Sequence, residues 1–91
     1  MVARNGTRLY KWHTNQFITT GEKLKDSDRE PLAVFVFHNN KWILINQGLH
    51  TMELLDESKK IEINQQLVLK DGQKILLDKE RGGRLCLVSF A

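Results

Sequence analysis

Leu32-Ala33-Val34-Phe35-Val36-Phe37-His38-Asn39-Asn40-Lys41-Trp42-Ile43-Leu44-Ile45-Asn46 decides how this chain folds. Two runs rich in β-branched and aromatic residues flank Asn39-Asn40, and asparagine tolerates the positive φ that a two-residue primed turn demands at both central positions. The stretch therefore predicts a hairpin, with Leu32 to Phe37 going out and Lys41 to Asn46 returning. Almost every residue of the outgoing strand is apolar, which predicts cover on both faces, as in a central strand of a packed sheet.

Away from this hairpin, the same residue types mark further short strands at Thr7 to His13, Gln16 to Thr20, Glu53 to Leu55, Ile61 to Ile63, Leu67 to Leu69, Lys74 to Leu77 and Arg84 to Phe90. Asp71-Gly72 supplies a second turn and Gly82-Gly83 a third, before the last strand. No stretch sustains a helical period. Regular short strands with turns between them predict an all-β fold, an antiparallel β-sandwich or a small barrel. Glu22 to Pro31 is polar and charged, and is expected to be a long connection with at most a short helical turn. Residues 1–6 are expected to be a flexible tail and 7–91 a single domain.

Ninety-one residues suffice for one modest core. Fourteen basic and eleven acidic side chains leave a net charge of +3, too little to imply nucleic acid. The bases cluster early: residues 1–25 hold five Arg or Lys against Glu22 alone, whereas 26–70 hold seven acids against five bases. The single cysteine, Cys86, lies between Leu85 and Leu87, a setting for a small buried hydrophobe rather than a nucleophile. No apolar run approaches a membrane span and no signal-peptide hydrophobic region follows Met1, so a cytoplasmic protein without membrane insertion is expected.

Residues that carry chemistry do not converge in the sequence. His13, His38 and His50 lie far apart without a partner at metal-ligand spacing. Asp26, Asp28 and Glu30 lack the glycine and terminal glutamate of a calcium loop. There is no nucleophile elbow, phosphate loop or dinucleotide fingerprint. No enzyme activity, cofactor or metal is expected.

The order of features from Gly21 onward resembles the forkhead-associated (FHA) domain, a β-sandwich module that typically reads phosphothreonine peptides. Phe17-Ile18-Thr19-Thr20-Gly21 is similar to the family's first strand-to-loop step. Ala33 to Phe37 is similar to the strand after its Ser-Arg-x-His-Ala signature, and Lys41-Trp42-Ile43-Leu44 to the return strand. Asn46-Gln47-Gly48 stands at the Asp-x-Gly place, and Leu69 to Leu77 resembles the turn and strand that follow. The resemblance implies a scaffold of Phe17, Ile18, Phe35, Phe37, Trp42, Leu44, Leu67, Leu69, Ile75, Leu85 and Leu87, with Gly21, Gly48 and Gly72 setting turns. It also implies a protein partner held by the loops at one end, through Glu22, Lys23, Lys25, Arg29, Gln47, Leu49, His50, Thr51 and Met52.

At the ligand positions the chain departs from the family. Glu22 stands where the family keeps a phosphate-binding Arg, Arg29 and Leu49 stand at its two serines, and Thr51-Met52 replaces Asn-Gly. A carboxylate repels a phosphate dianion, which needs charge-assisted donors. The expectation is a protein-interaction module of a signalling or secretion assembly that ignores phosphorylation. A retained phosphothreonine reader using Lys23, Lys25 and Arg29 is one alternative. A single-strand nucleic-acid binder, using Arg4, Arg8, Lys11 and Lys23 interleaved with Tyr10 and Trp12, is another. Leu49 and Met52 are expected to face the partner as apolar contacts. Turned inward, the same two side chains would plug the top of the sandwich.

Overall fold

The computed structural model describes residues 3–14 and 30–90. In chain order the elements are β1 (Arg8–Leu9), the one-turn helix α1 (Lys11–Thr14), β2 (Ala33–His38), β3 (Lys41–Asn46), β4 (Glu53–Leu54), a 3-10 turn at Leu55–Glu57, β5 (Lys59–Lys60), β6 (Gln66–Val68), β7 (Lys74–Leu76) and β8 (Leu85–Leu87). They form two antiparallel four-stranded sheets, ordered β1-β2-β3-β6 and β5-β4-β7-β8. The protein is mostly β, and the two sheets share one hydrophobic cluster. That cluster takes Leu9, Ala33, Phe35 and Leu44 from the first sheet and Leu54 and Ile75 from the second.

The hairpin forms where the sequence places it. Asn39 and Asn40 have φ of 51° and 61°, the left-handed pair that a type I′ turn requires. The register runs from Ala33 opposite Asn46 to His38 opposite Lys41. Ala33, Phe35 and Phe37 share the inner face by the two-residue period of a strand. Phe37 meets its cross-strand partner Trp42 with ring centroids 5.0 Å apart, at the exposed end of the hairpin. β2 lies between β1 and β3, as expected of a central strand. Its second face is covered only in part, since Val34 and Val36 are half-buried.

Several boundaries differ from expectation, each for a local reason. The strand expected over Thr7 to His13 stops at Leu9, because the Tyr10 N–H donates to His13 Nδ1 (2.9 Å) and the His13 N–H to the Tyr10 carbonyl (2.9 Å). These bonds curl the chain into α1. The strand expected over Ile61 to Ile63 lies earlier, at Lys59–Lys60, because Asn64 takes φ 70° and turns the chain. Residues 3–6, within the expected tail, contact β2 and the core. The Gly6 N–H donates to the Phe35 carbonyl (2.7 Å), Asn5 Oδ1 accepts from the Phe37 N–H (3.0 Å), and Ala3 packs on the core.

Asp71-Gly72 does form a turn, with Gly72 at φ 84°, but it crosses between sheets: β6 pairs with β3, while β7 pairs with β4 and β8. Of the expected scaffold, Phe35, Leu44, Leu69 and Ile75 are buried, and Trp42 and Leu67 are half-buried. Leu85 and Leu87 are exposed instead, because Cys86 stands opposite the fully buried Ile75 and the two-residue period then turns its neighbours outward. Phe17, Ile18, Gly21 and the strand Gln16 to Thr20 lie outside the described residues.

Candidate functional site

The loop after β3 is shaped by the last residue of that strand. Asn46 is fully buried. Its Oδ1 accepts from the Leu49 N–H (2.7 Å), and its Nδ2 donates to the carbonyls of Leu49 (2.7 Å) and Ile61 (2.9 Å). A buried amide so engaged leaves no unmet polar group, and it holds the loop tightly closed. The N–H groups of Gln47 and Gly48 both donate to the Leu32 carbonyl, at 2.9 and 3.0 Å. The loop is therefore pinned to the start of β2 as well.

This closure draws Leu49 and Met52 into the core, where they are 6% and 0% exposed. They do not face a partner, so the expected apolar contact surface is replaced by the inward plug. Gln47 and His50 are the exposed residues of this loop. Thr51 is half-buried and engaged: its Oγ1 donates to Asp78 Oδ1 (3.3 Å) and accepts from the Lys79 N–H (3.0 Å). Asp78 Oδ1 also accepts from the Glu80 N–H (2.9 Å), and Lys79 pairs with Glu53 at 2.8 Å.

Gly48, Leu49, His50 and Thr51 line a cleft of about 350 Å³ together with Lys11 and Thr14 of α1 and with Asp78 and Glu80. Thr14 is buried, its hydroxyl donates to the Lys11 carbonyl (3.0 Å), and its own carbonyl accepts from the Arg84 N–H (2.8 Å). That last bond carries α1 to the chain just before β8. Thr14, Asp78 and Glu80 carry no signal in the sequence, and Lys11 carries one only as part of the basic stretch, because the four reach the cleft from segments more than sixty residues apart. Glu22, Lys23, Lys25 and Arg29, the other half of the expected site, lie outside the described residues.

The aromatic residues of the basic N-terminal stretch engage each other. The rings of Tyr10 and Trp12 stack with centroids 4.7 Å apart and planes 7° apart, which takes one face of each away from solvent. Arg4, Arg8 and Lys11 are exposed. Burial, together with the nearby Arg84 guanidinium, holds His13 below the usual histidine range. Cys86 is half-buried, and burial pushes its thiol up, which keeps it protonated. Among the described residues no three His, Cys, Asp or Glu side chains gather where a metal could bind. No helix among them is long and apolar enough to cross a membrane.

Compared with known protein families, curated proteins and solved structures, the chain finds no match.

Proposed function

We propose that this chain is a protein-interaction module on an FHA-like β-sandwich, and that it takes its partner at the end formed by residues 47–51, α1 and residues 78–80 without needing a phosphate. The observation that carries this is the charge of the cleft. Among the described residues that line it, Asp78 and Glu80 set two carboxylates beside the ammonium of Lys11. A phosphate dianion entering there would meet like charge, and the Thr51 hydroxyl already donates to Asp78. The same lining favours a partner segment that presents hydrogen-bond donors, whether hydroxyl, amide or ammonium. Exposed His50 and Glu80 at the cleft are the contacts most open to substitution.

The setting that goes with this function is a cytoplasmic signalling or secretion assembly, and no cofactor or catalytic step belongs to it. Affinity capture from an extract of its own cells, with and without phosphatase treatment, tests the proposal. The expected result is the same captured protein in both arms, weakened by Glu80→Lys. Capture that disappears after phosphatase treatment would restore the phosphothreonine reader.

A further inference from the structure

β8 closes the second sheet and has no strand on its outer side among the described residues. The direction of its backbone groups follows from the bonds that flank it. The Leu77 N–H donates to the Arg84 carbonyl (3.0 Å) and the Val88 N–H to the Gln73 carbonyl (2.9 Å), so the Arg84 carbonyl and the Val88 N–H bond toward β7, while the Arg84 N–H goes to the Thr14 carbonyl. The two-residue alternation of an antiparallel ladder puts Cys86 in the same set. The N–H and C=O groups of Leu85 and Leu87 therefore point away from β7. Their side chains are 53% and 64% exposed, and Phe90 beyond them is 45% exposed. Natural sheets blunt an open edge with charge, proline or a bulge. Residues 85–90, Leu-Cys-Leu-Val-Ser-Phe, contain no charge and no proline.

Beside this edge runs a groove of about 720 Å³, walled by Leu9, Phe35 and Trp42 of the first sheet, by Leu69 just after β6, and by Cys86 and Val88. This volume falls in the range of ordinary ligand sites, and the lining is mostly apolar with few polar groups, as such sites are. Among the described residues, Arg84 is the only Lys, Arg, Asp or Glu that lines it, and it makes no ion pair with another of them. His13 lines the same end, held toward its neutral form by its burial.

We infer that β8 receives an extended peptide of another protein as a fifth, antiparallel strand of the second sheet, with alternate apolar side chains in the groove and a carboxylate at Arg84. The N–H and C=O groups of Leu85 and Leu87, which have no strand partner among the described residues, supply main-chain bonds, and the groove selects the alternate side chains, which is how sheet edges take up peptides. Charge chooses the occupant. An antiparallel partner ends at Arg84, so a C-terminal carboxylate or a late acidic residue neutralises that guanidinium. Residues 84–90 of a second copy would set no acidic side chain beside that guanidinium.

The test is a titration of the full-length, isotope-labelled chain with acetyl-Thr-Val-Thr-Val-Thr-Val bearing a free carboxylate, and with its C-terminal amide twin, followed by amide NMR and hydrogen exchange. The Leu85 and Leu87 amides are expected to exchange freely in the isolated chain, then to shift and become protected on binding. The amide twin should bind about tenfold more weakly, the scale of one charge-assisted hydrogen bond. Arg84→Gln, on an exposed side chain, should abolish the difference between the two peptides. Three results would overturn the inference: the two amides already protected in the monomer, which means the chain covers its own edge; protection that rises with protein concentration, which means a second copy does; or no change at residues 85–88.

Discussion

The side chain of Asn46 grips the main chain of Leu49 at both of its polar atoms, accepting from its N–H and donating to its carbonyl, each at 2.7 Å. The same amide donates to the Ile61 carbonyl, so one buried residue ties the loop after β3 to the approach to β6. Asn46→Ala removes all three bonds at once and leaves the Leu49 N–H and two carbonyls without partners. Unsatisfied buried groups cost roughly 1–3 kcal/mol each, with partial relief from water, so a loss of about 3 kcal/mol is expected. Urea unfolding of the variant beside the parent checks this. A midpoint shift worth under about 1 kcal/mol would mean that the loop holds itself closed without Asn46.

Leu49 and Met52 behave as core residues. Leu49→Ala and Met52→Ala should each cost about 2–5 kcal/mol, the range for large-to-small changes in a packed interior. In a domain of this size each kcal/mol lowers Tm by about 4–8 °C. His50→Ala, on the exposed tip of the same loop, should stay within about 0.5 kcal/mol. Thermal melts of the three variants separate the residues. If Leu49→Ala melts with the parent, the inward plug is wrong.

The glycines rank by what surrounds them. A Cβ at Gly83 would run into the Asp78 carbonyl oxygen, which is backbone and cannot step aside. At Gly72 there is open space but φ is 84°, a conformation that costs an L-residue about 1–2 kcal/mol. At Gly48 the contact is Leu32 Cδ2 at 3.0 Å, the end of a flexible side chain. Substitution by alanine should therefore destabilise in the order Gly83, then Gly72, then Gly48. Differential scanning calorimetry gives the order directly, and a Gly48 variant worse than Gly83 would contradict it.

Stability should depend on pH through His13. Burial, with Arg84 nearby, lowers its folded pKa, while the unfolded chain keeps the ordinary value of about 6.5. The unfolded state then binds the proton first as pH falls, so stability is full above about 6.5 and declines as pH drops through the folded value. Protonation also removes the acceptor that Nδ1 offers the Tyr10 N–H, which loosens α1. Urea midpoints measured between about pH 5 and 8 should show this slope, and His13→Asn should flatten it. A slope that survives the substitution would assign the dependence to other groups.

The hairpin was legible in the chain because its cause is local. Two asparagines that accept positive φ between two apolar runs leave the backbone few alternatives, and the register follows from the turn. Gly72 and Gly82, at φ 84° and 85°, mark turns for the same reason. What escaped depended on partners distant along the chain. Leu49 and Met52 read as exposed until the Asn46 amide finds the Ile61 carbonyl fifteen residues away and folds the loop inward. Leu85 and Leu87 read as core until the pairing of Cys86 with Ile75 sets which face of β8 looks inward, and a shift of one residue would have reversed them. The cleft has the same origin. Lys11 meets Asp78 and Glu80 there because the Thr14 carbonyl accepts from the Arg84 N–H, a bond between segments seventy residues apart that no local preference encodes.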